Sequence, residues 1–216
     1  MEISAAAQWI NQTFAGFDYA IMEFFHNLNV GKFSDFFDFF MGYFTKLGDD
    51  GIFLIILSLI LIVFKKTRKV GTAMLGAIII GALFTNISIK PIIARPRPYI
   101  DETHIFHQWW LDAGAHVESE FSFPSGHTTS AMAVMTGLFF TTNKKYSWTA
   151  FIFAVVMGIT RIYLCVHFPS DVIGGLVVGF LAGLISAIIV NSLFKSDIKL
   201  FKWFFELDLF KKFKKS

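Results

Sequence analysis

The sequence predicts an all-α membrane protein, a helical bundle of about six helices. Five clear transmembrane crossings follow N-terminal helices that are either amphipathic or form a tilted first crossing. Three observations predict this. Charged residues are only 16% of the 216-residue chain, against about 25% in soluble domains, and mean hydropathy is +0.59. Uncharged apolar runs near membrane length recur along the chain. Lysine and arginine gather at alternate connections between those runs.

Residues 1–15 are mildly apolar and are expected to be disordered or interfacial. They open with no basic region before an apolar core, so no cleavable signal peptide is expected. Over 17–47, Phe17, Ile21, Phe24 and Phe25, then Phe33, Phe36, Phe37, Phe40, Tyr43 and Phe44, recur at helical spacing. Asp18, Glu23, Lys32, Asp35, Asp38 and Lys46 interrupt them. The pattern suits two amphipathic helices in the membrane interface, hinged near Asn29-Val30-Gly31, or a tilted sixth crossing. The five clear crossings are 52–64, 70–89, 128–142, 146–160 and 172–194. Several fall short of the roughly 20 residues a full span wants, so their ends are expected to extend into polar segments lining a wet pocket. Residues 1–47 thus form an N-terminal unit, 48–194 the membrane core, and 195–216 a basic tail. Within that tail, 201–215 sets aromatics against lysines, as an interfacial helix on anionic headgroups would.

The basic residues fix an expected orientation. The 65–69 turn, the 144–145 turn and the tail from Lys195 hold 13 of the 19 lysines and arginines, all on one face if the crossings alternate. That face is expected to be cytoplasmic in a plasma-membrane, multi-pass protein. The opposite, extracytoplasmic face receives residues 48–51, 90–126 and 161–171. The single Cys165 excludes an intrachain disulfide framework and a multi-cysteine metal site, and reads as an apolar filler.

Three segments bring ionisable groups to that outer face: Lys90 to Pro98, Pro124-Ser125-Gly126-His127, and Arg161 to Asp171. Singly, each has a bland explanation. Lys90 and Arg97 could snorkel, either histidine could be a satisfied polar residue, and Asp171 could simply face a helix N-terminus. Together they describe a phosphate site. Lys90, Arg97 and Arg161 supply positive charge and forked donors. Ser125 is a natural N-cap, and the N–H groups of Gly126 and His127 open the helix after it as an anion cradle. Asp171, four residues after His167, would fix its tautomer and free the other ring nitrogen as a nucleophile, leaving His127 to protonate a leaving oxygen. No acidic cluster suggests magnesium and no Cys/His spacing suggests zinc, so no metal or cofactor is expected.

The three segments resemble the tripartite signature of the type 2 phosphatidic acid phosphatase family, which also includes glucose-6-phosphatase and the vanadium haloperoxidases. Its pattern is Lys, six residues, Arg-Pro; Pro-Ser-Gly-His; then Ser-Arg, five residues, His, three residues, Asp. Lys90 and Arg97-Pro98, Pro124 to His127, and Arg161, His167 and Asp171 fit it in turn. Thr160 replaces the serine, and Arg95-Pro96 is an extra pair outside the motif spacing. The resemblance implies a metal-independent membrane phosphatase of about six helices working through a phosphohistidine on His167. It implies that Asp171 activates His167, that His127 is the acid, and that Lys90, Arg97, Ser125, Gly126 and Arg161 hold the phosphoryl oxygens.

The implied partners are a lipid phosphate substrate and membrane lipids, with no nucleic acid. Small bacterial-looking members resemble undecaprenyl diphosphate or phosphatidylglycerophosphate phosphatases, and a polyprenyl diphosphate is the favoured substrate here. A phosphatidylglycerophosphate or phosphatidic acid phosphatase, a lipid phosphotransferase, and a non-enzymatic transporter with a basic vestibule stand as alternatives. The 99–122 loop is expected to cover the mouth, with Tyr99, Trp109 and Trp110 at headgroup level and His104, His107 and His116 on the surface.

Overall fold

The computed structural model describes residues 3–210, and its regular structure is entirely helical among the described residues. The Ser4 hydroxyl accepts from the Ala7 amide at 3.0 Å and caps α1 (Ala5–Asn29). Residues 5–15 are therefore ordered helix rather than a disordered lead. The cap and the alanine-rich first turn favour helix locally, and Asn11 is tied to Arg95 at 2.8 Å. The expected hinge is present: helix stops at Asn29 and resumes as α2 (Ser34–Thr45). Asp38 pins that corner, accepting from Asn29 at 2.9 Å and from the Tyr163 hydroxyl at 2.6 Å.

A 3₁₀ turn, Lys46–Gly51, leads into α3 (Ile52–Val63), with Asp50 and Gly51 at φ 49° and 67°. Next, α4 (Arg68–Ala82) runs through a π-helical segment, Leu83–Ile89, into the short α5 (Lys90–Ile93). The remaining helices are α6 (Ile105–Asp112), α7 (Gly126–Thr141), α8 (Lys144–Ser147), α9 (Ala150–Tyr163), α10 (Pro169–Phe194) and α11 (Lys199–Glu206). Among the described residues, three stretches are long and apolar enough to cross a membrane: Arg68–Ile100, Lys144–Tyr163 and Pro169–Phe194. The other two expected crossings form α3 and α7, with 12 and 16 residues. At 1.5 Å per residue these are about 18 and 24 Å long, short of a ~30 Å hydrocarbon layer.

α7 is the hub, packed on α4, α9 and α10. Its contact with α10 depends on Gly175, Gly179 and Gly183, one per four residues. A Cβ on Gly179 would lie 2.5 Å from the Thr129 carbonyl oxygen, and one on Gly183 2.4 Å from that of Ala133. Small residues let the two backbones touch, as membrane helices require when apolar burial alone gives little drive. Large apolar side chains such as Ile56, Leu59, Ile152, Val177 and Ile188 remain exposed on the outer faces.

At the end opposite the Gly126 terminus, buried Arg68 ties the tail to the bundle. It donates to the Ile62, Val63 and Phe204 carbonyls at 2.8, 3.1 and 2.8 Å, and also to that of Leu207. Phe205 of α11 packs on Ala73 and Val190. The amphipathic pattern expected over 201–215 is seen in α11 and the residues to 210; its last lysines, from Lys211, lie outside the described residues.

Candidate active site

Every expected site residue lies at the end of a helix or just beyond one, all at the same end of the bundle. Lys90 opens α5 directly after the π-helical segment, Gly126 and His127 open α7, Arg161 lies in the last turn of α9, and Asp171 lies in the first turn of α10. Ser170 and Asp171 follow Pro169 at the first helical position, where its missing N–H costs nothing.

His167 is the centre, 1% exposed. Its Nε2 is 3.2 Å from Arg97 Nη1. A guanidinium can only donate, so Nε2 must present its lone pair and the proton must sit on Nδ1. On that side the arrangement differs from the expected direct histidine–aspartate bond. Nδ1 is 3.5 Å from Asp171 Oδ2, while the buried Ser122 hydroxyl is 3.3 Å from Nδ1 and donates to the same Oδ2 at 2.5 Å. Ser122 therefore bridges the pair. Burial first, then the positive charges of Arg97, Arg161 and Lys90, hold the imidazole well below its ordinary pKa, so His167 is neutral.

Asp171 is fully buried and densely bonded. Oδ2 also accepts from the Phe168 amide at 2.8 Å, and Oδ1 accepts from Arg95 at 2.6 Å. Its own carbonyl accepts from the Ser125 amide at 3.1 Å, which ties the start of α10 to the start of α7. Ser125 holds the N-cap position of α7, but its side chain makes no capping bond. Its Oγ accepts from Thr128 Oγ1 at 3.0 Å instead, because the fully buried serine is turned against the helix's first turn.

The three cations surround this centre. Lys90 Nζ would lie 3.7 Å from a Cβ on Gly126, so it sits over the mouth of α7. All three meet carboxylates that no motif or spacing had singled out. Glu120 pairs with Lys90, and Glu118 pairs with Arg161 and lies 3.8 Å from Arg97. Burial alone would raise the Glu118 carboxyl, but Arg161, then Arg97 and His127, outweigh it and hold it below the ordinary carboxylate range. His127 stands on the other flank, its Nε2 3.1 Å from Asp49 Oδ1, with Arg161 and Glu118 within electrostatic reach. A side chain on Gly48 would come 2.6 Å from the His127 ring, so that glycine makes room for it.

Arg95, set aside in the sequence as lying off the motif spacing, is 1% exposed and bonded to Asp171 and to Asp18 of α1. The signal for it was available: an arginine two residues from another, at a helix mouth, in a chain with few outer-face cations. The 99–122 segment is more than a loop, since it carries α6. Tyr99 and Trp109 are buried in the protein, with Trp109 packed beside Phe106, Met22 and Cys165. His104 caps α6, accepting from the Phe106 amide at 3.3 Å, and His107 Nδ1 lies 2.7 Å from the Tyr99 carbonyl. A cavity of about 1110 Å³ opens beside the site, lined by Asn11, Asp18, Lys90, Arg95, Arg97 and Phe168 among others. Among the described residues, no three His, Cys, Asp or Glu side chains are placed to hold a metal ion.

Residues 70–195, which contain every one of these helix ends, match the family model of the PAP2 superfamily. The chain belongs to this superfamily. Within the PAP2 group it is 36% identical over 104 residues to undecaprenyl-diphosphatase BcrC of Bacillus subtilis, covering 48% of this chain and 50% of that one. It is 31% identical over 144 residues to an undecaprenyl-diphosphatase of Sulfolobus acidocaldarius, covering 64% of each. The matches thus span about half to two thirds of these relatives. Among solved structures, the transmembrane PAP2-type phosphatidylglycerolphosphate phosphatase of Bacillus subtilis superposes with a TM-score of 0.64 at 25% identity, over 90% of this chain and 94% of that one.

Proposed function

We propose that this protein is an integral membrane lipid phosphatase that hydrolyses a polyprenyl diphosphate through a phosphohistidine on His167, without a metal. The observation that carries this is the environment of His167: a neutral imidazole whose Nε2 lone pair faces a guanidinium, with a hydroxyl and a carboxylate behind its other nitrogen. This arrangement supports His167 as nucleophile, Asp171 with Ser122 as its orienting groups and the cations as electrophilic stabilisers of a phosphoryl group.

In the first step the substrate phosphoryl group draws Arg97, Arg161 and Lys90 onto its oxygens, releasing the Nε2 lone pair. Nε2 bonds to phosphorus as the phosphorus–oxygen bond to the lipid side breaks. His127 gives its proton to the departing oxygen, and the positive charge on the imidazole is balanced through Ser122 by Asp171. In the second step His127 takes a proton from water, the water oxygen bonds to phosphorus, and the phosphorus–nitrogen bond breaks to give inorganic phosphate. The N–H groups at the start of α7, beside Gly126, add neutral donors to the developing negative charge.

A polyprenyl diphosphate is favoured by the likeness to two undecaprenyl-diphosphatases. The solved relative makes phosphatidylglycerophosphate the second reading. The basic ends at 65–69, 144–145 and 195 onward support an extracytoplasmic site under the positive-inside rule.

The test is phosphate release by purified protein in detergent from undecaprenyl diphosphate, phosphatidylglycerophosphate and phosphatidic acid. Release unaffected by EDTA and blocked by vanadate is expected, with the diphosphate turned over fastest. His167→Ala should lower kcat at least about 10³-fold and abolish the acid-labile phosphoenzyme. Near-native turnover in that variant would exclude the mechanism.

A further inference from the structure

We propose that Arg95, held in place by Asp18 of α1, is a positioning residue for the reaction centred on His167. It fixes the Asp171 carboxylate, through which α1 becomes part of the catalytic apparatus. This rests on the lipid phosphatase reading above.

A carboxylate with no exposed surface needs a charge partner and full hydrogen bonding, or burial disfavours its charged form. Asp171 has both. Its Oδ2 takes the Ser122 hydroxyl and the Phe168 amide, and its Oδ1 takes Arg95 Nη1 at 2.6 Å. Among the described residues Arg95 is the one side chain bonded to Oδ1, so it sets the carboxylate's rotation, and with it the direction of the oxygen facing Ser122 and His167.

Arg95 is itself held on every side. Nη1 also donates to Ser170 Oγ at 2.7 Å, Nη2 donates to Asp18 Oδ2 at 2.9 Å, and Nε donates to Asn11 Oδ1 at 2.8 Å. Its guanidinium carbon sits 3.9 Å from the centre of the Phe168 ring. Asp18 closes the circle by accepting the Ser170 amide at 2.8 Å and the Ser170 hydroxyl at 2.7 Å. The result is a buried row, Asp18–Arg95–Asp171, with alternating charge. It joins α1, the segment after α5 and the start of α10. A forked, planar guanidinium can meet two carboxylates and two neutral acceptors at once; an ammonium cannot reproduce that geometry. Among the described residues Arg95 hydrogen-bonds to Asn11, Asp18, Ser170 and Asp171 and not to His167, so its effect on the ring passes through Asp171.

The cavity beside the site is lined by Asn11, Asp18 and Arg95, so a small cation can reach the place the arginine leaves. The test uses the full chain in detergent with a polyprenyl diphosphate. Arg95→Ala is expected to lower kcat about 100-fold with KM within about twofold, and millimolar guanidinium chloride should restore kcat at least tenfold where equal sodium chloride does not. Arg95→Lys, which keeps the charge and the packing, should lower kcat about tenfold. Asp18→Asn should lower kcat less than Arg95→Ala does, again with KM unchanged. Native kcat in Arg95→Lys overturns the inference, as does a rise in KM at constant kcat, or a folded Arg95→Ala that guanidinium does not rescue. If the phosphatase reading itself is wrong, the native protein releases no phosphate and no variant needs to be compared. The two failures are therefore distinct.

Discussion

At His167 the chemistry turns on which nitrogen keeps its proton. Arg97 faces Nε2 and Ser122 faces Nδ1, so the lone pair points to the cations and the N–H to the relay. Because burial and three positive charges keep the ring neutral, its protonated form in the free enzyme arises only well below the ordinary value of 6.5. On the proposed mechanism the attacking form of His167 is the unprotonated one, so acid must remove activity through this ring, while a loss in alkali reports the proton that His127 has to give. The acid limb of kcat/KM, corrected for the substrate's own ionisation, is therefore expected well below pH 6.5, and a limb at or above 6.5 would contradict this environment. Ser122 makes a second expectation. Removing its hydroxyl leaves Nδ1 and Oδ2 3.5 Å apart with nothing between them. A hydrogen bond to a charged group is worth about 1.5–3 kcal/mol, so Ser122→Ala should lower kcat roughly 10- to 100-fold with little change in KM. Unchanged kcat would mean that the aspartate reaches the ring without it. Spacing and charge topology singled out His167, Asp171 and the three cations, and the structure brings them to one end of the bundle. Ser122 was not, because a lone serine in a polar loop has no spacing to betray it.

At the level of elements, the segment after α6 does the most unexpected thing: it brings Glu118 and Glu120 to the cations that a phosphoryl group would need. Carboxylate and phosphate oxygens make the same kind of charge-assisted bond, so the two compete for Arg161, Arg97 and Lys90. Glu118→Gln keeps the shape and removes the competing charge. It should lower KM about 3- to 10-fold, since a desolvated charge contact of this kind is worth on the order of 1 kcal/mol. An unchanged or higher KM would show instead that Glu118 helps to set Arg161. Sequence gave this segment only as a covering loop. The eight-residue α6 is too short for periodicity to be decisive, and its cap is a histidine, which is not among the favoured capping residues. For α1 the reason is different: Ser4 before an alanine run was a readable start signal, but the first turns are only mildly apolar and their tie to a distant arginine leaves no pattern in the local sequence. The hinge after Asn29 was legible, since Gly31 and a lapse in apolar periodicity coincide there.

Across the whole molecule, separation of charge gives the bundle its polarity. One end carries the 65–69 and 144–145 basic turns and α11, clamped by Arg68; the other carries the helix mouths around His167. This was the most legible level, because alternation of apolar runs with lysine-rich turns depends on the membrane rather than on side-chain contacts. What alternation could not give was the close α7–α10 approach through Gly179 and Gly183, or how short α3 and α7 are relative to the layer they sit in. Those two short helices make the orientation worth measuring rather than assuming. Cys165 is the only cysteine and is 3% exposed, so it is a silent background for labelling. Asp101 is exposed beside the cavity that Lys90 and Arg97 line, and Lys145 is exposed at the opposite end. In intact cells a membrane-impermeant maleimide should label Asp101→Cys at once, and Lys145→Cys only after the membrane is opened. The reverse pattern would put the site on the cytoplasmic side, and with it the lipid phosphates it meets, whereas labelling of both in sealed cells would mean that the short helices do not seal the two ends from one another.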